Sequence, residues 1–164
     1  MKTEVTLLLG SNAENATSIV ERAITIIANS VGSVVRTSGE YRSEAYGFTA
    51  EREFVNRAVV IEVECDAYEV LRRINLIEAL LGRDREEEMR IKCAKGEAYA
   101  SRPIDIDIIF YGTKTFEDDR LTIPYHFLAE RGYALRPVAE VAPNFAHPKH
   151  GLTTSEMLKM LDKE

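Results

Sequence analysis

An α+β fold follows from three features of the sequence. EVTLLL (residues 4–9) is a short apolar run that stops at Gly10-Ser11-Asn12. FVNRAVVIEVE (residues 54–64) is long and β-branched, and SRPIDIDIIF (residues 101–110) alternates acid with isoleucine; both have the composition and period of strands. Between these runs lie stretches whose apolar residues recur at helical spacing.

Each element takes its place in chain order. EVTLLL predicts the first strand, with Gly10-Ser11-Asn12 a turn and helix entry. Ala16, Ile19, Val20, Ala23 and Ile27 trace one helical stripe from Ala16 to about Ala28, and Asn15 is placed to cap it. Val34 to Arg42 predicts a second strand, and the loop SEAYGFTAERE leads into the third. Asp66 caps a second helix whose stripe includes Val70, Leu71, Ile74 and Ile77, with Gly82 as its stop. RDREEEMRIKCAKGEAYAS (residues 83–101) has no clear period and is expected to be a loop. After the aspartate strand, LTIP predicts a short extended piece and LAERGYALRPVAEVA a helix interrupted near Gly132 or Pro137. TTSEMLKMLDK predicts a last helix with a Thr or Ser cap. Strand, helix, strand, strand, helix, strand is the ferredoxin-like βαββαβ order. It predicts an antiparallel sheet with helices on one face, the other face available, and additional C-terminal helices. That order hosts many functions and settles none.

The 164 residues suit a single domain, 1–164, and 45% hydrophobic with 29% charged residues is ordinary for a globular protein. A net charge of −6 argues against a general binder of nucleic acid or of anionic membranes. Cys65 and Cys93 have no close metal-ligand spacing and read as free thiols of a reducing compartment, the cytoplasm. The N-terminal apolar run is too short for a signal peptide, and no stretch reaches the length of a membrane span.

Asp105 and Asp107 carry the first chemical signal. Residues two apart on a strand share a face, so the two carboxylates lie side by side with Ile104, Ile106 and Ile108 opposite. At roughly 7 Å and an effective dielectric of about 20, their repulsion is on the order of 2 kcal/mol. Water can screen such a pair, and so can magnesium, which takes one or two carboxylates together with substrate phosphates. A solvated polar face explains the spacing equally well. The arginines Arg83, Arg85, Arg102, Arg120 and Arg131 favour the cation, because guanidinium groups match phosphate oxygens. Phe54 and Asn56 share a face of the third strand, an aromatic and an amide suited to a planar heterocycle, although taken alone the pair reads first as a core ring and a sheet-end amide. No GxxxxGK[ST] phosphate loop and no GxGxxG fingerprint is present.

LLLGSN, EYRSEAYG spaced to FVN, IEALLGRDR, SRPIDIDIIFYG, and LTIP followed by RGYALRPVAEVAP occur in one order over nearly the whole chain. Together they resemble the 6-hydroxymethyl-7,8-dihydropterin pyrophosphokinase family. The resemblance implies transfer of the β,γ-pyrophosphoryl group of ATP to a pterin hydroxymethyl, releasing AMP, in folate biosynthesis. It also implies two Mg²⁺ ions, with Asp105 and Asp107 as their ligands, and a monomer. Arg83 and Arg102 match the arginines that neutralise the transferring phosphates. Asn75, Glu78, Arg85, Tyr99, Ile108, Arg120, Thr122, Tyr125, His126 and Arg131 are implied in binding ATP. Ser43, Tyr46, Phe54, Asn56 and Tyr133 are implied in holding the pterin, with Phe54 and Tyr133 sandwiching its ring.

The chain departs from the family pattern in four places. Ser43-Glu44-Ala45 stands for a turn that often contains proline, and Tyr99-Ala100-Ser101-Arg102 for a Trp-Gly-Pro-Arg-like run. Tyr125 precedes His126 where histidine commonly follows the proline, and the segment Glu86 to Ala98 is longer, expected as a lid that orders on ATP. These departures motivate an alternative, a non-catalytic nucleotide- and pterin-binding protein on the same scaffold. A ferredoxin-like RNA-binding module is disfavoured by the acidic charge and the lack of an aromatic-rich RNP-type strand.

Overall fold

The computed structural model describes residues 1–44, 53–95 and 103–163. Its main sheet contains β1 (Thr3–Ser11), β2 (Ser33–Thr37), β3 (Tyr41–Ser43), β4 (Phe54–Val63) and β5 (Asp105–Tyr111). The strands run β2-β4-β1-β5, all antiparallel, with β3 also on β4. This is the ferredoxin-like arrangement that the element order predicts. A small hairpin, β6 (Phe116–Glu117) with β7 (Thr122–Ile123), follows β5.

Helices α1 (Ala16–Ser30) and α2 (Ala67–Leu80) cover one sheet face. Their buried stripes, Ile19, Val20, Ala23 and Ile27 from α1 and Val70, Ile74 and Ile77 from α2, pack on Val5, Leu7 and Leu9 of β1, Val59 and Ile61 of β4, and Ile106 and Ile108 of β5. Asp66 caps α2 by accepting from Glu69 N–H at 2.8 Å. Asn15 sits at the N-cap of α1 but makes no side-chain cap bond.

The second sheet face is not left free, as the bare βαββαβ order implied. α4 (Gly132–Val141) and α5 (Thr154–Asp162) lie over it, burying Leu8, Ala58, Val60, Ile109 and Phe110 against Leu135, Val138 and Met157. Glu140 of α4 ties this layer to the sheet, accepting from Gly39 N–H (3.0 Å) and from the Tyr41 hydroxyl (2.6 Å). The tie falls where the expected second strand divides into β2 and β3. There Ser38 bonds β4 through its hydroxyl, accepting from Ala58 N–H at 2.9 Å. The break expected near Gly132 or Pro137 occurs before Gly132, where a 3-10 turn (Leu128–Glu130) gives way to α4, and Pro137 is accommodated inside the helix. Thr153 closes a capping box with Glu156 at the start of α5.

Residues 85–95 are a helix, α3 (Arg85–Lys95), not the loop expected from their missing apolar period. The acidic run that obscured a stripe is itself a helix start. Glu86, Glu87 and Glu88 lie at the positive end of the helix dipole, and Asp84 accepts from Glu87 N–H at 3.0 Å.

His147 stacks on His150 (3.8 Å between centroids) and meets the Phe110 ring edge-on. Burial, then His150 and Lys149, push its pKa from 6.5 down to about 4. Between these values the unfolded chain takes up a proton that the folded chain refuses, so stability falls as pH drops through that window. Melting temperature measured from pH 7 to 4 is expected to decline, and His147→Asn to flatten the decline.

Candidate active site

Strand register assembles the site. Gly10 pairs with Asn56 of β4 on one side and with Asp105 of β5 on the other, and Asn56 pairs in turn with Tyr41 of β3. Leu8 likewise lies between Ala58 and Asp107. Asn56, Gly10 and Asp105 therefore form one row across three strands, about 10 Å from end to end at the usual strand spacing. The helices of the second layer stop short of this row, and a cleft of about 410 Å³ opens over it, a volume usual for a small-molecule site.

Gly10 belongs to β1, not to the turn expected for Gly10-Ser11-Asn12. A Cβ at Gly10 would lie 3.1 Å from Asn56 Oδ1, so glycine gives that amide room. Asn56 donates through Nδ2 to Tyr41 O (3.1 Å) and Ser43 Oγ (2.8 Å). Both bonds fix the flip of the amide and present its oxygen above Gly10.

At the other end of the row, Asp105 and Asp107 are half-buried and line the cleft side by side, with Ile104, Ile106 and Ile108 toward the opposite core as their alternation predicts. Behind Asp105 stands a buried ion cluster. Glu78 is 1% exposed and accepts from Arg83 Nη1 (2.7 Å), Arg85 Nη2 (2.7 Å) and Ile106 N–H (2.8 Å). Burial pushes the Glu78 carboxyl above its ordinary range, against Arg83, the Ile106 N–H and Arg85. Arg83 also donates to Asp105 (2.8 Å) and Glu88 (2.9 Å). Burial opposes its charge, but Glu78, Glu88 and Asp105 outweigh that and raise its pKa further.

The third wall comes from β7 and α4. Arg131 lies 4.1 Å over the Phe127 ring, a cation–π contact. The Tyr125 and Tyr133 hydroxyls bond at 3.1 Å. Burial, then Tyr133 and Asp107, hold the Tyr125 phenol well above its ordinary pKa, so it stays protonated. Arg120 and Thr122 reach the same cleft from the β6–β7 hairpin.

Most of the expected site residues thus converge: Ser43, Phe54, Asn56, Asn75, Arg83, Arg85, Asp105, Asp107, Ile108, Arg120, Thr122, Tyr125, Arg131 and Tyr133 all line the one cleft. Glu78, implied as a nucleotide contact, lies behind the cleft as a buried anchor whose carboxylate bonds two arginines and a backbone N–H. His126 is exposed, rests on the Phe127 ring and is not on the cleft wall. Tyr46, Tyr99 and Arg102 lie outside the described residues. Sequence reasoning missed Gly10, Phe127 and Glu88. A glycine inside an apolar strand signalled the first, and nothing local signalled the other two.

Carboxylates facing arginines in one cleft are what a chain of phosphates requires, and on this fold they fit a nucleotide-dependent phosphotransferase. The family model for 7,8-dihydro-6-hydroxymethylpterin-pyrophosphokinase (HPPK) matches residues 6–143, and the chain belongs to that family. It is 35% identical over 161 residues to the 2-amino-4-hydroxy-6-hydroxymethyldihydropteridine pyrophosphokinase of Methylorubrum extorquens, covering 98% of this chain and 94% of that one. The Synechocystis protein of the same name is 32% identical over 94% of this chain and 74% of its own length. Among solved structures, the wild-type HPPK-DHPS of Plasmodium falciparum superposes with a TM-score of 0.73 at 15% identity, over 98% of this chain and 45% of that one. The chain spans less than half of that solved protein, and the likeness bears on the fold alone. Family membership makes the chain an ATP-dependent pyrophosphokinase of folate biosynthesis.

Truncating Glu78 strands the buried Arg83 and the Ile106 N–H. Glu78→Ala is expected to cost about 3–5 kcal/mol of stability, read as a lower urea midpoint, and Glu78→Gln less.

Proposed function

We propose that the chain transfers pyrophosphate from ATP to 6-hydroxymethyl-7,8-dihydropterin, each end of the Asn56–Gly10–Asp105 row serving one substrate. That row carries the reading, because it sets a heterocycle-binding amide and a phosphate-handling carboxylate about 10 Å apart with no side chain between them. Asn56 and Ser43 take the polar edge of the pterin, and Phe54 and Tyr133 its faces. Arg83, Arg85, Arg120, Arg131 and Thr122 hold the nucleotide, with Asn75 and Ile108 on its pocket wall and the protonated Tyr125 donating toward the phosphates. Arg102 and Tyr99 are assigned to phosphate and nucleotide, and Tyr46 to the pterin, by likeness to the family. The pterin hydroxyl oxygen attacks the β-phosphorus of ATP. A new O–P bond forms as the bond from the β-phosphorus to the α,β-bridging oxygen breaks, AMP leaves with that oxygen, and the hydroxyl proton passes to solvent. Alignment of the two substrates and fixed positive charge around the phosphates supply the rate.

The donor set fits magnesium. Asp105 and Asp107 are hard oxygen ligands, partly open to the cleft, and two carboxylates leave room in a shell of about six for water and phosphate oxygens. Two ions held by Asp105 and Asp107 would neutralise charge that builds on the transferred group. One domain acting as a cytoplasmic monomer completes the reading. The free thiols Cys65 and Cys93 support the compartment, and among the described residues no helix is long and apolar enough to cross a membrane.

Incubation with ATP, magnesium and the pterin is expected to yield AMP, and only with pterin present. ADP in its place would overturn the reading, and binding of both ligands without turnover would favour the non-catalytic alternative. Asp105→Ala and Asp107→Ala are each expected to lower turnover by at least about a hundredfold, with the melting temperature unchanged or raised in Asp107→Ala and lowered in Asp105→Ala, which takes a partner from the buried Arg83. Gly10→Ala crowds Asn56 Oδ1. It is expected to raise the pterin KM about tenfold, the scale of one misplaced methyl, and to leave the ATP KM unaltered.

A further inference from the structure

Arg83 is the cleft arginine assigned to the transferring phosphates, yet its side chain is only 5% exposed. Its nitrogens already serve carboxylates: Nη1 donates to Glu78 and Asp105, Nε to Glu88 at 2.9 Å, and Nη2 to Glu88 at 3.3 Å. These partners are not equivalent. Glu78 is buried and simultaneously holds Arg85 and the Ile106 N–H, so it cannot leave without breaking the cluster. Asp105 is fixed in the row of β5 on β1. Glu88 comes from the first turn of α3, with 15% of its side chain exposed against 30% for Asp105.

The form of the Glu88 contact matters most. Both carboxylate oxygens face the Nε–Nη2 edge of the guanidinium, the two-point geometry with which arginine binds a phosphate. We propose that Glu88 is an internal competitor for the ATP phosphates: it occupies the Nε–Nη2 edge of Arg83, ATP must displace it, and it thereby sets the affinity for ATP. The inference rests on the proposed role of Arg83 in phosphate binding. An incoming polyphosphate repels the Glu88 carboxylate and offers Arg83 an equivalent pair of oxygens, so the exchange conserves hydrogen bonds at Arg83. Its cost is the loss of the Glu88 ion pair and the movement of the α3 start. An amide at position 88 keeps the size of the side chain, replaces a charge-assisted pair by a weaker neutral one, and removes the repulsion.

The experiment is calorimetric titration of the full chain with magnesium and α,β-methylene-ATP, for the wild type, Glu88→Gln, Glu88→Ala and Arg83→Ala/Glu88→Gln. Glu88→Gln is expected to bind the analogue about tenfold more tightly than wild type, or about 1.4 kcal/mol, with the pterin affinity unchanged. Glu88→Ala should move in the same direction, and the gain should vanish in the Arg83→Ala/Glu88→Gln variant. A merely structural role for Glu88 predicts equal or weaker binding, and that outcome in Glu88→Gln with a native circular dichroism spectrum overturns the proposal. A gain that survives in the double variant also overturns it, because Arg83 would not be the group being competed for. Wild-type protein that binds no analogue overturns the proposed ATP reading itself, whereas wild-type binding without a gain in Glu88→Gln overturns the competition alone.

Discussion

The site depends on one constraint, the register of β1 between β4 and β5. A shift of one residue in an antiparallel pair sends every side chain to the other face. Slipping β1 against β4 would bury Asn56 in the α1–α2 layer, and slipping it against β5 would turn both aspartates into that core. The register is held by apolar residues. Val5, Leu7 and Leu9 fill the first core, while Leu8 fills the second. Because both faces are buried over most of the sheet, the pairing is specified twice, and the polar row is carried along by its neighbours. The bulge between Thr6 and Leu7 leaves Ile109 as the extra residue on β5, where it and Phe110 both join the second core. The aspartates lie beyond that bulge, at the end of the strand where the helices no longer cover the face.

Glu78 does for the phosphate end what register does for the row. Its position on α2 lets one buried carboxylate bond a β5 backbone N–H and two arginines that follow the helix. Helix, strand and cationic side chains are thereby fixed to a single anchor. Such a group costs desolvation, visible in the upward push on its own carboxyl. The return is positional, since Arg83, on the short connection between α2 and α3, is held 2.8 Å from Asp105. A lone buried carboxylate would be costly, but this one is surrounded by donors.

Much of this was legible in the sequence, for physical reasons that differ by element. Strands and the α1 and α2 stripes were readable because their residues face one core and obey one period. Asp105 and Asp107 were readable because two charges on one face of an apolar strand need an explanation. Three features were not. The α4–α5 layer on the second face depends on tertiary contacts such as Glu140 with Gly39 and Tyr41, about a hundred residues away in the chain. α3 lacks an apolar stripe because it has little core to face, so only its acidic start could have announced it. Glu78 was implied as a nucleotide contact by the family resemblance alone, and only the return of β5 buries it.

The charges within the site explain why pairing and openness coexist there. Around Arg83 and Arg85 stand Glu78, Glu88 and Asp105, with Asp107 further along the cleft. Among the described residues, four carboxylates against two guanidiniums leave this corner of the site acidic, which by itself repels a polyphosphate. On the proposed reading, magnesium held by Asp105 and Asp107 would offset that charge and make nucleotide entry conditional on the cation. Without it, Arg83 is satisfied by protein oxygens and the cluster is stable as it stands. On that reading a cation at Asp105 would compete with Arg83 Nη1 for the Asp105 oxygens, while Glu88 still holds the Nε–Nη2 edge. Coupling of this kind needs no long-range motion, only three carboxylates sharing one arginine.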